Sequence, residues 1–153
     1  MTAAEPAELI DALRAHVEEL AGVLRALPAE RLERPVSDGW TARQVLAHLA
    51  DFELIAAVRV RVMLSVDRPM LPAYGQEDFT DRFWSVETPA EALERLAVTR
   101  RSTVRVLEAL TDADWDRTAV HPERGEERLH RTVEMLVRHD RLHLAQLREA
   151  ASA

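Results

Sequence analysis

Apolar residues recur every three or four positions in four separate stretches of the 153-residue chain. This is the period of a helix with one buried face, so each stretch predicts an amphipathic α-helix. Four such helices of roughly twenty residues pack most simply as a four-helix bundle, which predicts an all-α fold. The apolar faces are formed by Leu9, Leu13, Val17, Leu20, Leu24 and Leu27; Val45, Phe52 and Ile55; Leu93, Leu96, Val104, Leu107 and Leu110; and Val133, Leu136, Val137, Leu144 and Leu147.

Proline and capping residues mark where these helices begin and end. Pro28 ends the first helix, since its ring is incompatible with a helix interior. Thr41 and Gln44 are spaced as a capping box, in which two free backbone N–H groups are satisfied reciprocally, so the second helix begins there. Thr88 and Glu91 repeat the pattern and predict the start of the third helix.

Two long connections, after the second and third helices, complete the predicted bundle. The second helix is expected to run to about Val66, and the fourth from about Thr132 to the end of the chain. The first connection covers residues 67–87 and includes a short predicted helix at 77–83. The second covers residues 111–130. Irregular segments of this length in a compact domain are usually functional or cover other structure, so we expect them to roof one end of the bundle.

The composition fits one helical domain over residues 1–153. The chain is 47% hydrophobic and 31% charged but has only four glycines, whereas a sheet protein would need many turn residues. Its net charge is −7 and its arginines alternate with acids, so no basic surface for nucleic acid is expected. Without cysteine, the chain has no disulfide, thiolate metal site or cysteine nucleophile. Any metal must therefore be bound by histidine and carboxylate.

No segment is expected to enter a membrane. The longest apolar stretch, residues 54–64, is too short to span a bilayer and contains Arg59 and Arg61. The first fifteen residues lack the basic segment followed by an apolar run that defines a secretion signal. These features together predict a cytoplasmic protein.

Two histidines four residues apart, His139 and His143, stand out in the last helix, in the sequence RHDRLHLAQL. Residues at this spacing are neighbours on one helix face, with Cβ atoms about 5–6 Å apart, so both imidazoles could bind one ion. Such a pair is also common on solvated helix surfaces. The spacing alone therefore permits a metal site without requiring one.

A third histidine, His48, lies on the apolar face of the second helix, together with Val45, Phe52 and Ile55. One explanation is a core histidine that is hydrogen-bonded to a carbonyl or hydroxyl. The other is that it joins His139 and His143, since three protein ligands are the number found in an open catalytic metal site. Imidazole suits zinc, nickel, iron(II) and copper.

Two segments carry a resemblance to a known family: Trp40-Thr41 leading into QVLAHLADFE, with His48, Asp51 and Glu53, and HDRLHLAQL, with His139, His143 and Gln146. In these segments the chain resembles the DinB/YfiT-like superfamily of four-helix metalloproteins. The resemblance implies a divalent metal bound by His48, His139 and His143, with zinc or nickel expected first and iron or manganese as alternatives. It also implies a small-molecule substrate, since members include metal-dependent hydrolases and enzymes that use the low-molecular-weight thiols bacillithiol or mycothiol. Homodimers are common in the family.

Hydrolysis at such a metal would use a nearby carboxylate as general base, and Asp51, Glu53 and Asp140 are close to the histidines in sequence. Asp51 follows His48 by three residues and is its neighbour on the helix, whereas Asp140 is rotated by about 100° from the histidine before it. We therefore select Asp51 as the candidate catalytic base. Its alternative role is a charge paired with an arginine of its own or another helix.

The remaining histidines and one arginine are assigned other roles. His16, His121 and His130 lie outside the paired pattern and are expected to be structural or exposed, with His16 at the edge of the first helix. Arg59 lies three helical turns from His48 on the same face, where it could bind an anionic group or pair with an internal acid. A solvated salt bridge is the expected role.

Three functional hypotheses follow. The first is a divalent-metal-dependent enzyme of thiol S-transferase or hydrolase type. The second is a bundle of the stress response that binds a metal or ligand without catalysis. The third is a helical interaction or dimerisation module whose histidines are only structural. The third hypothesis predicts no bound metal and a melting temperature that does not respond to added nickel or zinc. The other two predict the opposite, because a bound metal stabilises the native state by mass action.

Overall fold

Four long helices form the bundle that the sequence predicts. The computed structural model describes residues 4–37 and 39–152. The all-α four-helix-bundle prediction is confirmed, with one small hairpin added. In chain order the elements are α1 (Pro6–Ala26), a 3-10 turn (Ala29–Arg31), α2 (Ala42–Ser65), α3 (Gln76–Phe83), α4 (Pro89–Glu108), α5 (Asp112–Trp115), β1 (Thr118–His121), β2 (Gly125–Arg128) and α6 (Leu129–Ser152).

The helix order around the bundle differs from the order along the chain. Helix α1 packs against α4 and α6, and α2 packs against the same two helices. The consecutive helices α1 and α2 therefore lie across the bundle diagonal from each other, and α2 faces α6 directly. None of the helices in the described ranges combines the length and hydrophobicity needed to cross a bilayer.

Both predicted capping boxes are present. The Thr41 hydroxyl accepts the N–H of Gln44 at 3.2 Å, and the Gln44 side chain accepts the N–H of Thr41 at 2.8 Å. Thr88 and Glu91 make the equivalent pair at the start of α4. Helix α6 begins at Leu129, a few residues before the predicted start, because β2 runs directly into it without an intervening loop.

The connection before α6 contains a hairpin that the sequence did not predict. Strands β1 and β2 pair antiparallel, with Thr118 opposite Arg128 and His121 opposite Gly125. Gly125 has φ 77°, a backbone conformation that favours glycine. The segment before α3 joins this hairpin, since the N–H of Leu71 donates to the Val120 carbonyl at 2.8 Å. The two long connections therefore cover one part of the bundle together.

A layer of buried polar side chains divides the core of the described chain into two apolar clusters. In each long helix the apolar face changes from one cluster to the other around a buried polar residue of this layer. These four residues are His16 between Leu13 and Leu20, Glu53 between Ala50 and Ala56, Arg100 between Leu96 and Val104, and Asp140 between Val137 and Leu144.

Arg100 of α4 connects all four long helices. Its Nε and Nη2 donate to Glu53 Oε2 of α2 at 2.9 and 2.6 Å. Its Nη1 donates to Asp140 Oδ2 of α6 at 2.8 Å and to the Leu13 carbonyl of α1 at 3.1 Å. Burial alone lowers the pKa of Arg100, but Asp140 and Glu53 outweigh burial and raise that pKa above its ordinary value. The guanidinium therefore stays charged in a site that is 1% exposed.

We predict that Arg100→Met lowers the free energy of unfolding by about 3–5 kcal/mol, because two carboxylates remain buried without their cation. Urea denaturation followed by circular dichroism measures the change. The control is Arg14→Met, which removes an exposed arginine paired with Asp11 and Glu108 and should cost less than about 1 kcal/mol. Equal effects of the two substitutions would show that the buried network contributes no more than a surface pair.

Candidate metal centre

The imidazoles of His48, His139 and His143 meet between α2 and α6. Each ring offers one nitrogen, and these three atoms lie within 4.8 Å of one another. The Nε2 atoms of His48 and His139 are 2.8 Å apart, and the ring centroids of His139 and His143 are 4.5 Å apart. The two rings of α6 are one turn apart on the face that packs against α2. The structure therefore brings the three predicted residues to one point.

Burial keeps His48 and His139 uncharged. His48 and His143 are almost completely buried. Burial, with a smaller contribution from His143, lowers the pKa of His48 to about 3. Burial also lowers the pKa of His139 to about 2, and the neighbouring histidines add to the effect. Both rings are neutral at pH 7, which is the form of imidazole that binds metal ions.

Gln146 sets the tautomer of His143. Its Oε1 lies 2.7 Å from His143 Nδ1, and a carbonyl oxygen can only accept a hydrogen bond. The ring proton is therefore on Nδ1 and the lone pair on Nε2. Metal-binding histidines commonly use their second nitrogen in this way, donating to a carbonyl or carboxylate that orients the ring.

Aromatic side chains surround the cluster. The ring of Phe52 stacks on His139 with centroids 4.0 Å apart, and Trp40 packs against His48 at 5.0 Å. His139 Nδ1 is buried and has no hydrogen-bonding partner within the described part of the chain. Two neutral rings, converging nitrogens and an apolar surround are features that fit a divalent metal ion.

Asp51 lies beside the cluster and is paired with an arginine of another helix. Its Oδ1 accepts a hydrogen bond from Arg95 of α4 at 2.9 Å, and Arg95 also binds Glu87. Burial raises the pKa of Asp51 above its ordinary value, although the hydrogen bond and charge of Arg95 act in the opposite direction. Asp51 and His48 line the same small cavity of about 20 Å³. The ion pair considered from the sequence is therefore present, and Asp51 still lines a cavity together with His48.

The other two carboxylates belong to the Arg100 network. Glu53 and Asp140 both bind Arg100, and Asp140 Oδ1 also lies 3.7 Å from His16 Nε2. The expectation that His16 lies at the edge of α1 is wrong, because its side chain is buried and burial lowers its pKa. The spacing from Leu13 to His16 to Leu20 is itself helical and could have revealed this.

Arg59 and His121 are also more buried than expected. The surface salt bridge predicted for Arg59 is wrong, since its side chain is 8% exposed and its Nη2 donates to the Pro72 carbonyl at 2.8 Å. His121, at the end of β1, is 3% exposed. Both are covered because the connection after α2 folds back over that helix and joins the hairpin.

Comparison with known proteins identifies relatives over most of the chain. The sequence profile of the DinB superfamily matches residues 12–147. A relative from Bacillus mycoides is 29% identical over 145 residues, covering 92% of this chain and 84% of the relative. A relative from Oceanobacillus iheyensis is 28% identical over 112 residues, covering 72% of this chain and 64% of the relative, which is under two thirds of its length. Both are provisionally named metal-dependent hydrolases.

Solved structures share the fold. YfiT from Bacillus subtilis, described provisionally as a metal-dependent hydrolase with an unusual four-helix bundle topology, matches with a TM-score of 0.90 and 24% identity. That match covers 98% of this chain and 87% of YfiT. The mycothiol-dependent maleylpyruvate isomerase matches with a TM-score of 0.74 and 16% identity, covering 96% of this chain and 63% of that one.

We predict that the chelator-treated protein becomes less stable as the pH falls from about 6.5 toward 3. The unfolded chain protonates His48 and His139 near their ordinary pKa of 6.5, whereas the folded state keeps both neutral. Each ring should then remove up to about 1.4 kcal/mol per pH unit from the free energy of unfolding. Urea denaturation at a series of pH values measures the slope. His48→Gln should reduce that slope, and an unchanged slope would contradict the assignment.

Proposed function

The chain belongs to the DinB superfamily, and on that premise we propose that it is a divalent-metal-dependent hydrolase acting on a small molecule. His48, His139 and His143 are the proposed metal ligands. The observation that carries the proposal is the convergence of their three ring nitrogens within 4.8 Å. Three protein ligands leave a coordination position for water or substrate, as in catalytic sites. The hydrolase names of the relatives support the same activity.

Zinc or nickel is the first expectation for the metal, and iron or manganese the alternative, since neutral imidazoles form the donor set. When bound, such an ion lowers the pKa of a coordinated water toward about 7 and polarises a carbonyl or phosphoryl oxygen. The chain itself orients one ligand through Gln146, whose Oε1 accepts a hydrogen bond from His143 Nδ1. Trp40 and Phe52 exclude water from the sides of the cluster that they cover.

Asp51 is the proposed general base. It lines the cavity that His48 also lines, so a water molecule there is within reach of both side chains. Its raised pKa brings the carboxylate closer to the proton affinity that a base needs at neutral pH. The hydrogen bond from Arg95 holds the carboxylate in place. A proton taken from the attacking water would reside on Asp51 and pass to the leaving group.

Thiol S-transfer is the second candidate activity. The fold also occurs in the mycothiol-dependent maleylpyruvate isomerase. A divalent ion held by His48, His139 and His143 would favour the thiolate form of a bound thiol. A low-molecular-weight thiol is then the partner substrate. The non-catalytic alternative, a stress-response bundle that binds a metal or ligand, needs the same three histidines but no base. A homodimer and a cytoplasmic location stay predictions from the sequence.

We predict about one equivalent of divalent metal per chain, measured by inductively coupled plasma mass spectrometry on protein purified without chelator. His143→Ala should reduce the metal content to background. His130→Ala is the matched control, since that ring binds the Ala4 carbonyl away from the cluster and its loss should leave the metal in place. Added zinc or nickel should raise the Tm of the wild type but not of His143→Ala. Equal metal content in both variants would contradict the proposed ligands.

We predict that Asp51→Asn lowers kcat/KM by about 10²–10⁴-fold on a hydrolysed substrate while the metal content stays unchanged. A panel of esters, amides and phosphoesters identifies the substrate. Glu87→Gln is the control, because Glu87 shares Arg95 with Asp51 but does not line the small cavity. If wild-type protein with full metal hydrolyses none of the panel and transfers no thiol, the non-catalytic alternative is favoured.

A further inference from the structure

A larger cavity of about 180 Å³ adjoins the three-histidine cluster. It is bounded by α2, α6 and the β1–β2 hairpin, and His139 of the cluster lines it. An apolar cavity of about 150 Å³ is known to hold benzene, so this one has room for a small organic molecule. Its lining includes Arg59, which also lines the small cavity beside Asp51, together with His121 and Arg124.

Arg59 is a buried cation that lacks an anionic partner. Its one hydrogen bond to the described chain is from Nη2 to the Pro72 carbonyl at 2.8 Å. Nε is buried and no described residue accepts its proton. No carboxylate oxygen of the described residues lies within 4.0 Å of its guanidinium. Buried charges are costly unless they are paired, and an arginine stays charged in proteins. The Arg59 side chain therefore has the properties expected of an anion-binding residue.

Neither of the two nearby acids, Glu127 and Glu123, forms an ion pair with Arg59. Glu127 accepts hydrogen bonds from Arg124 at 2.9 and 3.0 Å, and from the Thr132 hydroxyl at 3.0 Å. Its charge is therefore compensated by Arg124. Glu123, the acid in the lining itself, is exposed to solvent. Among the described residues that line this cavity, Arg59 is thus the buried charge without an ion-pair partner.

His121 adds a neutral donor. Its Nδ1 accepts hydrogen bonds from the backbone N–H groups of Glu123 and Arg124 at 3.2 and 3.3 Å. Because Nδ1 accepts, the ring proton of the neutral form is on Nε2, which is a hydrogen-bond donor. Burial and the two arginines lower the pKa of His121, so the ring is neutral at pH 7.

We propose that this cavity binds an anionic oxygen group of the substrate, a carboxylate or phosphate, with Arg59 as its principal hydrogen-bond donor. That the anion belongs to a substrate rests on the proposed function. Because His139 lines the same cavity, a ligand held by Arg59 extends toward the three-histidine cluster. The site therefore selects small acids or phosphate esters over neutral compounds of the same shape.

The test titrates chelator-treated protein with benzoate, with inorganic phosphate, and with benzamide as the neutral analogue of benzoate. Calorimetry gives each Kd, and the Arg59 Nε–H resonance in NMR reports the new hydrogen bond. We expect at least one anion to bind, benzamide to bind more weakly, and Arg59→Gln to raise the anion Kd about tenfold or more. A preference for benzoate or for phosphate identifies the anionic group.

Arg61→Gln is the matched control, since Arg61 is two residues away on α2 and binds Ala57 and Ser102 instead. Its Kd should equal that of the wild type. Arg59→Lys keeps the charge and should weaken binding less than Arg59→Gln. If Arg59→Gln does not fold, the Nε–H shift in the wild type decides the question. An absence of anion binding, equal binding of benzamide, or an Arg59 resonance that does not move would overturn the proposal.

Metal content tests the proposed function independently of the anion site. If the protein binds no metal but an anion shifts the Arg59 resonance, the anion site stands and the proposed function fails. If the protein binds one equivalent of metal but anions bind equally to Arg59→Gln, the anion site fails and the proposed metal centre is unaffected.

Discussion

A single guanidinium, that of Arg100, holds the bundle in register. It binds a carboxylate on α2, a carboxylate on α6 and a backbone carbonyl on α1. Asp140 is adjacent to His139 in sequence, and Glu53 follows His48 by five residues. The ion pairs that align α2 with α6 therefore also align the two helices that bring the three imidazoles together. Apolar faces could slide past one another at modest cost, whereas a displaced charge pair would be left buried and unpaired.

The structure assigns separate tasks to neighbouring polar groups. The Arg100 network is closed, with its carboxylates directed at the cation. In the histidine cluster beside it, His48 and His139 are neutral, and His139 has a buried nitrogen without a partner in the described chain. Such a division separates the residues that hold the helices together from those that could carry out a reaction, and function depends on the latter rather than on the fold.

The sequence predicted the helices, the spacing of His139 and His143 and the inward position of His48 because these follow from local patterns, whereas the grouping of the three histidines came from the family resemblance and the usual ligand count of a metal site. Capping boxes and apolar periodicity are encoded within a few residues, and His48 lies on an apolar face that must point inward. The partners of Arg59 and Arg100 were harder to predict. Periodicity can place a side chain on the inner face of a helix, but it does not identify the residue elsewhere in the chain that the side chain binds. The hairpin was missed because β2, Gly-Glu-Glu-Arg, shows no alternation of apolar residues and has only four positions.

The polar layer also affects how the unfolding of one end of the bundle is coupled to that of the other. Neither apolar cluster extends through the whole core, although the four long helices run through both. Between the clusters, contacts from one helix to another include ion pairs that are shielded from solvent. Dissolved salt screens buried pairs far less than surface pairs. Cohesion between the two halves of this acidic protein should therefore persist across a wide range of ionic strength.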